Sequence, residues 1–167
     1  MVYIVFAFIM IALDQVVKYW AFTSLQAQQT IPLIENVFHL TYVENRGAAF
    51  SMFAQFDSRW IFVTLAVVIS IVIGVALYKG WMQHALGRWS LVLVGAGAIG
   101  NAIARVIRGF VVDLFDFRLI HFPVFNVADI FICVGALLFV IYFLFLHKDE
   151  EKADTSHNTA SERDTDE

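Results

Sequence analysis

Residues 95–129 read GAGAIGNAIARVIRGFVVDLFDFRLIHFPVFNVAD, a mostly apolar stretch into which polar residues are set at intervals. It opens with small residues from Gly95 to Gly100. Asn101, Arg105 and Arg108 then follow at spacings of four and three, which puts all three on one face of a helix. Asp113 and Asp116 occupy a short loop, and Asn126 and Asp129 enter a second apolar run. Ionisable groups at membrane depth are costly, so they mark a functional site unless they pair only to hold helices together.

The totals say why membrane depth is the right frame. Of 167 residues, 60% are hydrophobic, 16% aromatic and only 16% charged. A soluble domain usually carries about a quarter charged residues, so the chain reads as an all-α integral membrane protein. The net charge of −4 owes much to residues 148–167, which hold eight acids and three bases and show no periodicity. They read as a disordered acidic tail. The remainder is close to neutral, without the basic patch that a nucleic acid partner requires. Cys133 is the one cysteine, so no intrachain disulfide forms, and its apolar surroundings suggest a packed thiol and not a nucleophile.

A spanning helix takes about 20 mostly apolar residues. Four stretches qualify: about 2–22, broken by Asp14 and Lys18; 60–78, with no charge; 89–108; and 122–146, with Asp129 alone. The first has no basic n-region and no small-residue cleavage site, so it reads as a retained span. Trp20, Trp60, Trp81 and Trp89 all fall at or beside span ends, where indoles prefer the interface. The short connection 79–88 carries two bases and no acid, which places both termini in the cytoplasm and the loops 23–59 and 109–121 outside. At about 1.5 Å per residue, Asp14 and Asn101 both lie about 18 Å from the inner face. Arg105, Asp113 and Asp129 fall near them, in the outer leaflet.

In the first outer loop, Phe38 to Val43 alternates as a strand would, and Asn45-Arg46-Gly47 reads as a turn. That loop serves either as a flap over the polar cluster or as simple interfacial packing. Asp14 and Lys18 have the favourable order for a helical ion pair, a structural role in which they neutralise each other. The pairs Ala96/Gly100 and Gly97/Asn101 give the small-residue spacing that lets helix backbones approach. Asn126 followed by Asp129 has a plain structural reading as a capping box. With Asp113 close by, however, two carboxylates reach one mouth, share a proton and can act as acid and base toward water. Asp116 rivals Asp113 for that place. His39 and His121 lack ligand-like spacing to the acids, so no metal is expected. Motifs for serine, zinc-protease and nucleotide chemistry are absent.

Five motifs in order then carry a resemblance: Asp14-x-x-x-Lys18, Asn45-x-Gly47-Ala48-Ala49-Phe50, Gly100-Asn101-x-x-x-Arg105, Gly109-Phe110-Val111-Val112-Asp113 and Phe125-Asn126-Val127-Ala128-Asp129. Together with the four spans, they resemble the bacterial lipoprotein signal peptidase (signal peptidase II) family. The resemblance implies an aspartyl endopeptidase of the cytoplasmic membrane, without cofactor. It would remove signal peptides from prolipoproteins, cutting before a diacylglyceryl-modified cysteine, among membrane phospholipids and with its active site at the outer leaflet. Asp113 and Asp129 match the catalytic pair. Asn45, Gly47, Asn101, Arg105 and Asn126 match residues that line the site, with Asp14 and Lys18 in support. A small extracytoplasmic β-containing region after the first helix is also implied. The family's third motif usually reads Gly-Asn-x-x-Asp-Arg, and this chain has Ala104 at the acid. Arg105 therefore lacks an adjacent carboxylate, and a less stable protein that is active or weakly active is expected. The rival class is non-catalytic: an inactive homologue that binds precursors, or a proton channel, which would need acids that 60–78 does not supply.

Overall fold

The computed structural model describes residues 1–47 and 59–147. The acidic tail and the Ala48-Ala49-Phe50 part of the second motif lie outside the described residues. Four helices are long and apolar enough to cross a membrane: α1 (Val2–Gln28), α2 (Arg59–Tyr78), α3 (Ala85–Arg108) and α4 (Val127–Phe145). Between them stands a three-stranded antiparallel sheet, order β1-β2-β3, made of β1 (Thr30–Ile34), β2 (Phe38–Asn45) and β3 (Val111–Phe117).

Several boundaries differ from those read from composition. α1 runs on to Gln28 because Ala21–Leu25 winds as a π-helix, with the Gln26 N–H bonded to the Ala21 carbonyl. α3 begins at Ala85, where the His84 ring accepts the Leu86 N–H as an N-cap. It ends at Gly109, whose φ of 81° supplies the left-handed residue a helix stop favours. α4 begins only at Val127: residues 122–126, apolar enough to look like helix, bond instead to β3 through the Phe115–Phe125 bridge. The sheet is also larger than expected. Its third strand comes from the connection between α3 and α4, so β2 and β3 stitch that connection to the one after α1, Val43 opposite Asp113 and Asn45 opposite Val111.

The sheet sits on α1. Ala21, Leu25, Tyr42, Val112 and Leu114 form a buried core at this junction. On the other side Phe38, Phe115, Phe117 and Phe125 stack with ring centroids 4.6–6.3 Å apart, within the range where aromatic pairs attract. β3 is thereby clamped over the C-terminal ends of α1 and α3.

Within the bundle, small residues on α3 let α4 and α1 come close. A Cβ at Gly97 would stand 2.5 Å from the Ala128 carbonyl oxygen, and one at Gly100 would stand 2.6 Å from Asp14 Oδ2. Lower down, Gly135 of α4 lies against the Ser90 carbonyl and the side chains of Leu93 and Val94. Lipid tails give helices no hydrophobic reason to associate, so close approach and hydrogen bonds supply the attraction. Cys133, read as a packed thiol, is exposed on α4. An apolar residue in a membrane helix gains nothing by facing inward.

Candidate active site

Asn126 is the residue on which the polar cluster turns. The β3 bridge fixes its approach: Leu114 and Phe115 N–H donate to the Phe125 carbonyl at 3.0 and 2.9 Å. Asn126 then caps α4 in extended geometry, its Oδ1 accepting the Asp129 N–H while Asp129 Oδ2 accepts the Asn126 N–H, both at 3.1 Å. The capping box read from sequence is therefore present. The Asn126 Nδ2 remains free of that box and donates to Asp113 Oδ1 at 2.6 Å. One residue thus holds both carboxylates, so the structural and the site readings of Asp129 coexist.

Asp113 is 2% exposed and also accepts Asn45 Nδ2 on its Oδ2, at 2.9 Å. The Gly47 N–H donates to Asn45 Oδ1 at 2.8 Å, and the φ of 90° at Gly47 makes that tight turn a glycine position. Burial pushes the Asp113 carboxyl above the usual carboxylate range. Hydrogen bonds from Asn126 and Asn45 pull it partly back, and the neighbouring Asp129 charge adds to the rise. Asp116 is turned elsewhere. Opposite His39 in the sheet, it accepts Thr41 Oγ1 at 2.7 Å and Arg118 Nε at 2.9 Å. Slight burial raises its pKa, but those two bonds outweigh it and the balance is a lowering. Of the two rivals, the structure brings Asp113 to Asp129.

The helices contribute the rest. Asn101 Nδ2 donates to Asp129 Oδ1 at 2.8 Å, and Asn101 Oδ1 accepts Lys18 Nζ at 2.7 Å. Lys18 and Asp14 form the expected pair at 2.8 Å, with side chains 0% and 1% exposed. They do more than neutralise each other: Asp14 Oδ1 accepts the Ala128 N–H at 2.9 Å, capping α4 from another helix. Gln15, which sequence reading missed, donates to Asp14 Oδ2 and to the Gly100 carbonyl, both at 2.9 Å. Its only signal was an amide beside an acid in an apolar run. Arg105 Nη1 reaches the Asn101 carbonyl at 3.3 Å, and its guanidinium lies 4.8 Å over the Phe62 ring. Ala104 is fully buried. No group of three or more potential metal ligands occurs among the described residues.

Among the described residues, grooves open on the bundle, two of them against the spanning helices. The larger, of about 610 Å³ between α2 and α3, is lined by Val63, Ile71, Ile99 and Val106 and is remote from the carboxylates. The other, of about 530 Å³, runs from Pro123 and Phe125 to Cys133 and Val134 with Asp129 in its wall. An apolar trough that ends on a carboxylate suits a lipid-embedded substrate better than an apolar trough alone.

Four spanning helices and two carboxylates bonded to one asparagine define a membrane protein with a polar cluster at the ends of its helices. The chain belongs to the signal peptidase (SPase) II family, whose model matches residues 6–145. It is 47% identical over 145 residues to the lipoprotein signal peptidase of Clostridioides difficile (strain 630), covering 87% of this chain and 96% of that one. It is 43% identical over 141 residues to that of Nostoc punctiforme, covering 81% and 84%. Among solved structures, two described as bacterial membrane enzymes determined by the in meso method superpose with TM-scores of 0.76 and 0.78. They share 29% and 28% identity with this chain, covering 86% and 87% of it and 87% and 94% of their own chains.

Proposed function

We propose that Asp113 and Asp129 are the pair with which this member of the signal peptidase II family removes signal peptides from prolipoproteins, cutting before the diacylglyceryl-modified cysteine. The observation that carries the proposal is Asn126 bonded to both carboxylates at once. One acid takes a proton from water as the hydroxyl adds to the scissile carbonyl, and the other gives its proton to the carbonyl oxygen. Collapse then releases the amine, which the first acid protonates. Asn45 and Gly47 form the turn that holds Asp113 from above, while Asn101, Arg105, Asp14 and Lys18 support Asp129 from the bundle. The groove beside Asp129 takes the apolar signal segment or the acyl chains. Phospholipid phosphates meet Arg105 and Arg108 at the outer end of α3, where Arg105 Nε and Arg108 Nη1 are buried without an acceptor. Family membership favours this reading over a precursor-binding inactive homologue or a proton channel.

Incubating the purified protein with a diacylglyceryl-modified precursor tests the reading. A shortened product is expected from the parent and from Asp116→Asn, and none from Asp113→Asn or Asp129→Asn. Activity lost in Asp116→Asn and kept in Asp113→Asn would reassign the dyad. The same reading places both termini in the cytoplasm and the site at the outer leaflet, following the bases of residues 79–88. In a Cys133→Ser background, a cysteine at Glu35 should react with an impermeant thiol reagent in intact cells, and one at Gln83 should not. The opposite labelling would invert the topology.

A further inference from the structure

All four oxygens of the two carboxylates face one hydrogen-bond donor each. Asp113 has Asn126 Nδ2 and Asn45 Nδ2, and Asp129 has Asn101 Nδ2 and the Asn126 N–H. Three of these donors are side-chain amides, which can turn either their oxygen or their nitrogen toward a partner. What decides the orientation is the second bond each amide makes. For Asn45 and Asn126 it is a neutral backbone N–H nearby in the chain, from Gly47 and Asp129. For Asn101 it is the Lys18 ammonium, which comes from another helix, is 0% exposed and has donors only. Lys18 therefore compels Asn101 to present its N–H to Asp129.

The two carboxylates consequently differ. Asp113 sits between neutral amides, 2% exposed. Asp129 lies at the N-terminus of α4, which favours an anion, and one amide away from a buried ammonium. The charges around Lys18 come from four elements: Asp14 on α1, Arg105 on α3, Asp113 on β3 and Asp129 on α4. Asp14 bonds the ammonium through Oδ2 and the Ala128 N–H through Oδ1, which leaves Lys18 a further donor directed at Asn101.

We propose that Lys18 is a positioning residue that acts through Asn101 to keep Asp129 the anion of the dyad and leave the shared proton on Asp113. This inference rests on the peptidase reading and assigns its roles. Asp129 takes the proton of the attacking water while Asp113 protonates the carbonyl oxygen, giving a gem-diol. As the C–N bond breaks, Asp129 passes its proton to the leaving amine and a diol hydroxyl returns one to Asp113. Water has then been added across the amide and both acids are reset.

The test is an infrared titration of the carboxyl stretching bands in detergent, assigned with Asp113→Asn and Asp129→Asn, alongside the pH profile of precursor cleavage. Lys18→Met alone would strand the buried Asp14 charge, so the informative variant is the doubly neutral Asp14→Asn/Lys18→Met. In the parent, the carboxyl band that stays protonated to higher pH should be the one that Asp113→Asn removes. In the double variant the acidic limb of kcat/KM should move up, by less than the roughly 1–3 pH units that loss of an unopposed cation gives because the Asp14 charge goes with it, with the alkaline limb and KM little changed. Asp113 ionising first in the parent overturns the proposal whether or not the double variant folds. So does a folded double variant with the limb unmoved. A parent that cleaves no precursor, with that band lost in Asp113→Asn as expected, would remove the peptidase reading and leave the proton on Asp113.

Discussion

α2 and α3 cross the same membrane side by side and are built on opposite rules. α2 is the most apolar of the four spans, and 11% of its membrane window is buried inside the protein; for the less apolar α3 the share is 44%. In water that order would be reversed. In lipid, an apolar side chain is as comfortable outside as inside, and a helix is drawn inward by what lipid does not offer: backbone proximity at glycines and partners for polar groups. α3 carries Gly97, Gly100, Asn101 and Arg105, and so it lies at the centre. α2 carries one glycine, Gly74, which nothing approaches within 4 Å, and leaves a groove of about 610 Å³ beside α3.

The largest effect expected from breaking this arrangement is chemical. Asp113→Asn and Asp129→Asn should each lower precursor cleavage by about 10²–10⁴-fold or more, read as initial rates in detergent, with Asp116→Asn close to the parent. Asp113→Asn should also change stability with a definite sign. Burial raises the Asp113 pKa in the folded state. Its contribution is therefore fully present below the ordinary carboxylate pKa and is lost as pH rises through the folded value. Melting temperatures of variant and parent, compared between pH 4 and pH 8, should move in the variant's favour as pH rises. A gap that closes with rising pH would contradict the burial argument.

Next come two glycines, one on each helix. At Gly97 a methyl group would meet the Ala128 carbonyl at 2.5 Å and Ile132 Cγ1 at 2.7 Å, whereas at Gly74 of α2 nothing lies within 4 Å. Gly97→Ala should destabilise by about 1–3 kcal/mol through overpacking, and Gly74→Ala should stabilise by about 0.5–1 kcal/mol by restricting the backbone. Equal responses in a thermal melt would mean that α2 and α3 do not differ as described.

How far the sequence announced this depends on the kind of signal. The four spans were legible because length and apolarity alone define them. The capping box at Asn126 and Asp129 was legible because it is local, and so was the strand at Phe38. β3 was not: residues 111–114 are buried on both faces, so alternation is lost and Val-Val-Asp-Leu reads as loop. Residues 122–125 misled in the other direction, their apolar side chains looking like helix while their backbone pairs with β3. Asp14 and Lys18 were correctly paired, but their bonds to Ala128 and Asn101 depend on helix rotation and packing, which no single-helix pattern encodes. The pair of acids was visible, and the motif match already preferred Asp113 to Asp116. Spacing alone could not, since the turning of Asp116 toward Thr41 and Arg118 follows from the β2–β3 register.

Ala104 gives the smallest effect. Arg105 turns toward Phe62 on α2, so an acid at position 104 would find its partner one turn on, at Arg108, whose Nη1 is buried without an acceptor. Ala104→Asp should change stability little, because the roughly 0.2–0.5 kcal/mol of an exposed acid-before-base pair is offset by desolvation at this fully buried position, and should leave the cleavage pH profile unchanged. A variant that melts earlier, or an altered profile, would place the new carboxylate among the dyad's neighbours instead.

The π-helical turn at Ala21–Leu25 makes chain length itself a structural variable. A span can ordinarily gain or lose a residue by tilting in the bilayer, but α1 has a fixed point at each end of this turn. Lys18 is tied to Asn101 before it, and Leu25 is seated in the sheet core after it. Each residue advances a helix by about 100°, so the residue taken up by the wide turn sets the heading at which Thr30 leaves for β1. A chimera joined across this segment keeps its parts in register only if the count between Lys18 and Leu25 is preserved, even where every substituted side chain is tolerated.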